Sequence, residues 1–198
     1  SSCLLVIVGT VFDRAKQHEH SSCLLVIVGT VFDRAIKMNK YLTKKVELKR
    51  FYVPDNMYFT TSVTENRKHI FLDEKNIKIL LYAFNEYRYK YLYKIIAYVI
   101  LPDHFHWLII PDEKANISKI MKAVKGYTAK KIGAGKLWQH QFLDHCIRKK
   151  EDYKIHIDYI HKNPVKHGLI NEIGEYKWSS FKNYRFNDDS IIKIDKIL

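Results

Sequence analysis

Cysteine is scarce in this chain, with three in 198 residues: Cys3, Cys23 and Cys146. The first two are copies within a repeat, so the body of the protein holds one. No disulfide framework can form there, which suits a reducing cytoplasm. No Cys-x-x-Cys pair supports structural zinc. Long apolar runs are missing too. None reaches the roughly 18 residues of a membrane span, and no basic segment precedes the first apolar stretch as a secretory signal needs. Acidic residues are in deficit, 21 against 34 Lys and Arg, for a formal charge of +13. That balance says nothing about fold but favours a polyanionic partner, nucleic acid or an anionic membrane surface. At 47% hydrophobic the chain is not disordered, and its length suffices for one ordinary domain. Its 14 Tyr, interleaved with Lys and Arg, suit unpaired bases, although many of those rings belong to a core.

Residues 1–15 recur without change at 21–35. Structural repeats drift, because only their core pattern is constrained. Perfect identity points instead to a recent DNA duplication, and the first Met is Met38. Residues 1–37 are therefore expected to be a duplicated leader outside the native domain. The alternative is a genuine pair of strands, since Leu-Leu-Val-Ile-Val is strongly strand-like.

The remainder reads as alternating elements. Arg50 to Glu65 is dense in β-branched and aromatic residues, a strand broken by a turn at Pro54-Asp55-Asn56. Asp73 caps a helix to about Tyr91, with Ile77, Leu80, Leu81 and Phe84 on one face. Tyr93 to Leu101 and His104 to Ile110 form a hairpin around Pro102-Asp103. Asn116 or Ser118 starts a basic helix to about Ile132, stopped by Gly133 and Gly135. Leu137 to Arg148 reads as a further strand pair or extended segment. Glu151 to Lys162 is a helix that Asn163-Pro164 ends, with Asn163 as its cap. This β-α-β-β-α-β order predicts an α+β, ferredoxin-like antiparallel sheet with its helices packed on one side. No linker interrupts 38–198. A domain over 38–184 and a tail over 185–198 follow.

Chemistry concentrates at two places. His104 and His106 stand two apart on a strand, so both face one side of the sheet. Two imidazoles so placed can share a divalent cation. Tyr159 and Asn163 stand four apart on a helix, one turn from each other on one face. Asn offers a hard oxygen ligand suited to Mg²⁺ or Mn²⁺, and Tyr a nucleophilic hydroxyl. Each has a plainer reading: paired histidines are commonly structural, and a tyrosine among 14 is core by default. Asp103 reads as a turn residue. His145, His156, His161 and His167 read as phosphate contacts, surface groups or packing.

The stretches LPDHFHW, LWQHQFLDHCIRKKEDY, DYIHKNPVKHGL and YKWSSFKNY resemble the single-tyrosine HUH transposases, and within them the REP-associated tyrosine transposase branch. The resemblance spans about residues 51–184. It implies a ferredoxin-like catalytic domain that cuts and rejoins single-stranded DNA beside hairpins or repeats, through a 5′-phosphotyrosine. It implies Tyr159 as nucleophile, with His104, His106 and Asn163 holding Mg²⁺ or Mn²⁺. Lys162 and Lys166 are candidates to assist the tyrosine. A DNA-backbone track is expected from Lys119, Lys122, Lys125, Lys130 and Lys131, extended around Tyr159 by Arg148, Lys149 and Lys150 and by Lys166 with His167. A prokaryotic, nucleoid-associated protein acting as monomer or homodimer follows, with no membrane partner. The competing function is a non-catalytic module that binds single strands through exposed aromatics on its two central strands.

Overall fold

The structure, a computed structural model, describes Val53 and residues 55–113 and 115–197. The chain divides into two units, residues 1–47 and 48–198, and the second holds everything described. The duplicated leader lies outside the described residues, as do Phe51, Tyr52 and Pro54 of the first strand reading.

Four strands form one antiparallel sheet: β1 (Met57–Val63), β2 (Tyr93–Leu101), β3 (His104–Pro111) and β4 (Leu143–Ile147). Their order is β2-β3-β1-β4, the ferredoxin-like arrangement expected. Register follows side-chain alternation. Thr61 sits opposite His106, and Thr60 opposite Trp107. Each neighbouring pair on β3 therefore sends one residue to each face of the sheet.

One face carries Phe105, Trp107 and Ile109, packed with the two crossover helices α1 (Glu74–Tyr91) and α2 (Ile117–Ile132). Phe84 of α1 stacks on Trp107 with centroids 4.2 Å apart. Asp73 caps α1 by accepting from the Lys75 N–H at 2.9 Å, worth about 1 kcal/mol. The expected stripe Ile77, Leu80, Leu81 and Phe84 is buried, each such side chain contributing about 1.5–3 kcal/mol. Asn116 caps α2 through the Lys119 N–H, and Gly133 closes it in the left-handed region at φ 71°. The expectation of helices on one side holds for this pair. The next helix, α3 (Glu151–Lys166), covers the opposite face, where Tyr159 lies against Phe59 and His106.

Two local readings need correction. Only Leu143–Ile147 forms a strand in the 137–148 stretch, with Trp138 making an isolated bridge to Thr64. And α3 does not stop at Lys162: it runs on to Lys166 with Pro164 inside it. A proline within a helix costs about 3 kcal/mol. Burial of Tyr159, Ile160, His161, Asn163 and Pro164 outweighs that cost. The cap falls at His167, whose N–H donates to the Asn163 carbonyl at 3.0 Å. Asn163 is thus an interior helical residue, not a cap.

The outer edge of β2 is sheltered by the C-terminal residues. The Ile95 N–H donates to Asp195 Oδ2 at 2.8 Å, and the Asp195 N–H to the Ile95 carbonyl at 2.7 Å. Ile192 and Ile194 join the core. Ser180 pairs with Tyr98 further along the same edge, ahead of the short helix α4 (Phe181–Phe186). Covering an edge removes an aggregation template.

Ser180 also anchors His161, whose Nε2 lies 2.9 Å from Ser180 Oγ. Burial pushes the His161 imidazole down to about 4. The unfolded chain titrates a histidine near about 6.5. As pH falls from there towards 4, the unfolded state takes up a proton that the folded state refuses. Stability is full above the window and lost within it, by on the order of 3 kcal/mol for this group. His106, His145 and His156 are likewise lowered by burial and add to the loss. Melting curves at about pH 7.5 and about pH 4.5 should show a large drop in Tm that His161→Gln reduces. An equal drop in the variant would refute this origin.

Candidate active site

His104 and His106 lie on the α3 face of the sheet, 3% and 1% exposed, with ring centroids 4.9 Å apart. Each has its Nδ1 engaged. His104 Nδ1–H donates to Asp103 Oδ1 at 2.5 Å, and Arg67 holds the other carboxylate oxygen at 2.7 Å. Burial alone would raise the Asp103 carboxyl. The bond from His104, and then Arg67, hold it well below the usual carboxylate range. An ionised carboxylate only accepts, so a proton sits on His104 Nδ1 and Nε2 is the nitrogen left to the site. His106 Nδ1 lies 2.8 Å from Thr61 Oγ1. Burial, with His104, His167 and Lys166 nearby, keeps His106 neutral by pushing its pKa well down. A proton donated from Nδ1 to Thr61 Oγ1 would leave Nε2 as its open nitrogen too.

Asp103 is therefore more than a turn residue: it fixes the tautomer and direction of His104. The sequence signal was adjacency alone. Its weight depends on Arg67, 36 residues earlier, arriving at the same carboxylate.

Above the histidines runs one stripe of α3 and its cap. Tyr159 sits 5.6 Å from His106 and His167 sits 5.3 Å from His104, centroid to centroid. Asn163 lies between them, one helical turn from each. Its Nδ2 donates to the Tyr159 carbonyl at 3.3 Å. Its Oδ1 is buried with no hydrogen-bond partner among the described residues. Such an orphan acceptor is costly unless something binds it. Two imidazole lone pairs and one amide oxygen make a donor set that suits a small divalent cation. Among the described residues, no three His, Cys, Asp or Glu gather into a metal-holding group. A cation here would need the asparagine.

Tyr159 is buried, with its ring edge against Phe59 and Lys166 Nζ 5.5 Å from its centroid. Lys162, the other candidate to assist it, is exposed. The remaining cations are spread out. Lys122, Lys125, Lys130 and Lys131 belong to α2, on the far face of the sheet. Lys125 donates to the Gln139 carbonyl at 3.0 Å, and Lys131 lies over Tyr127. Arg148 and Lys149 are exposed before the start of α3, at the opposite end from Lys166. His145 and His156 stack beyond Phe59 at 6.0 Å. Trp138 packs in the core and donates to the Lys125 carbonyl, and Trp178 lies partly buried against the same core. Both central strands are buried throughout, apart from half-buried Ile110, and helices cover both faces. The open aromatic sheet that the non-catalytic reading requires is not there. No described helix is long and apolar enough to cross a membrane.

Residues 52–163 match the family described as Transposase IS200 like. The matched span holds His104, His106, Tyr159 and Asn163. A REP-associated tyrosine transposase of Escherichia coli (strain K12) is 30% identical over 136 residues, 68% of this chain and 82% of that protein. A relative from Haemophilus influenzae is 28% identical over 148 residues, 67% of this chain and 84% of its own length. The solved structure of a REP-associated tyrosine transposase bound to a REP hairpin superposes with TM-score 0.66 at 28% identity, covering 78% of this chain and 92% of that one. Fold, motif and matched span agree: the chain belongs to the IS200-like transposase family, with REP-associated tyrosine transposases among its relatives.

Proposed function

We propose that this protein nicks and rejoins single-stranded DNA beside hairpins or repeats, with Tyr159 as nucleophile and Mg²⁺ or Mn²⁺ held by His104, His106 and Asn163. The observation that carries this reading is the orphan Asn163 Oδ1, set between Tyr159 and His167 above two imidazoles whose Nδ1 atoms are already engaged. The bound cation would offset negative charge on the scissile phosphate. Tyr159 Oη attacks phosphorus, forming the tyrosyl–phosphate bond as the bond to the 3′-oxygen breaks. The products are a 5′-phosphotyrosine and a free 3′-OH. Another 3′-OH attacking that link reverses the step and rejoins strands without a nucleotide cofactor. Lys166 Nζ, 5.5 Å from the Tyr159 ring centroid, is the candidate to assist loss of the phenol proton. Phe59 and Thr61 on β1 hold the tyrosine and His106 in place. The relative whose structure includes a REP hairpin supports the hairpin as substrate.

The test incubates the protein with single-stranded hairpin DNA and Mg²⁺ or Mn²⁺, then separates covalent protein–DNA adduct on a denaturing gel. Adduct that needs metal and is lost with EDTA is expected; absence of adduct under both metals would reject the reading. A finer outcome concerns Asp103. Asp103→Asn keeps the turn but loses the charge that orients His104, and Mn²⁺ affinity should fall about 10- to 100-fold. Titration calorimetry checks it. Unchanged affinity would remove Asp103 from the site.

A further inference from the structure

Away from Tyr159, α3 borders a second concavity that the chemistry above does not use. Lys150, Tyr153, Lys154 and Asp158 face Phe181, Tyr184 and Arg185 across a groove of about 540 Å³. The α3 members recur at three- and four-residue steps, so they form one stripe, while Tyr159 and Asn163 belong to another. We propose that this groove holds an unpaired nucleotide of a DNA strand, with the base among Tyr153, Phe181 and Tyr184 and the flanking phosphates on Lys150, Lys154 and Arg185. The inference rests on the proposed function only in taking DNA as the ligand.

Three observations carry it. The rings are held before any ligand arrives: Tyr184 donates to the Ile96 carbonyl at 3.0 Å, and Phe181 and Tyr184 both lie against His161, at 5.6 and 5.4 Å. A fixed aromatic wall stacks on a base at little entropic cost. The cations are uncommitted, since Lys150, Lys154 and Arg185 form no ion pair among the described residues. And one carboxylate, Asp158, shares the groove with them. A site for phosphate alone would be weakened by a carboxylate. A nucleotide uses both signs, because its phosphate meets the cations while the exocyclic amino group of its base donates to the carboxylate. A base in a duplex has both faces stacked on its neighbours and none left for Tyr153, Phe181 or Tyr184, so the groove selects single strands.

The full-length Tyr159→Phe protein, without added metal, separates this claim from the strand-transfer chemistry: failure to form adduct leaves the binding assay untouched. Fluorescence anisotropy compares a short labelled single strand with a duplex of the same sequence. The combined Lys154→Ala and Arg185→Ala change should lower single-strand affinity about tenfold or more, with much less effect on duplex. Tyr153→Ala should lower it about tenfold by removing a stacking face. Asp158→Asn should shrink the preference for oligo-dC over oligo-dT, thymine having no amino group. Equal losses on single strand and duplex would reduce the groove to general positive charge and overturn the proposal. So would no loss on either.

Discussion

Tyr159→Phe should bring covalent adduct below detection and reduce strand cleavage by about four decades or more, while DNA binding and melting temperature barely move. The size follows from what is removed. Deleting a nucleophile outright costs on the order of a millionfold in enzymes built around one, and no neighbouring hydroxyl lies on the same stripe of α3, where the next residues are Asn163 and His167. The small structural effect follows from what is kept. The phenyl ring still meets Phe59 and His106 edge-on, at 5.8 and 5.6 Å, and losing one hydroxyl's hydrogen bonding costs about 1 kcal/mol. Tyr159→Ala would be less informative: emptying so buried a site costs about 3–5 kcal/mol, and lost cleavage could then reflect lost fold. The measurement is a pair of gels and a melting curve on the same preparation. A phenylalanine variant that still forms adduct would place the nucleophile elsewhere. Adduct lost together with a Tm collapse would make the hydroxyl a group the fold depends on and overturn its assignment as a nucleophile dispensable for stability.

Much of this site could be read from the sequence because it depends on local periodicity. Residues two apart on a strand share a face, which put His104 with His106. Residues four apart on a helix share a stripe, which put Tyr159 with Asn163. The Asp73 and Asn116 caps and the hairpin at Pro102-Asp103 are equally local. What stayed hidden depends on distant partners. Pro164 signals a helix end, and only burial of the whole last turn against the sheet carries α3 through it. That extra turn is what brings His167 to His104. The role of Asp103 needs Arg67, and the role of the C-terminal residues needs the bare edge of β2 at Ile95. The basic stripe on α2 was legible as charge, but charge alone does not say which face of a sheet it serves. Here it is the face opposite Tyr159.

His106→Ala and Trp107→Ala, adjacent in sequence, should fail in opposite ways. Trp107 is fully buried on the α1 side, stacked on Phe84 at 4.2 Å and meeting Tyr93 and Phe105 edge-on. Truncating it forfeits contacts with three rings and opens a cavity at the centre of the sheet. The cost is about 3–5 kcal/mol, against a total stability of about 5–15 kcal/mol for a domain of this kind. The variant should unfold at much lower denaturant, or fail to accumulate. Trp107→Phe offers the control. Its ring keeps the stacking, and the indole N–H it removes has no partner among the described residues, so the loss should be clearly smaller than for Trp107→Ala. His106→Ala acts on the other face. It removes one imidazole and leaves Thr61 Oγ1 short of a partner, costing about 1–3 kcal/mol, while the core behind Trp107 is untouched. Cleavage should vanish in a protein that still melts cooperatively. Urea titration and the adduct assay, run on all three variants, separate the faces. A His106→Ala protein that cleaves normally would break the link between the imidazole pair and the chemistry. A Trp107→Ala protein as stable as the parent would mean the sheet does not depend on α1 as its packing implies.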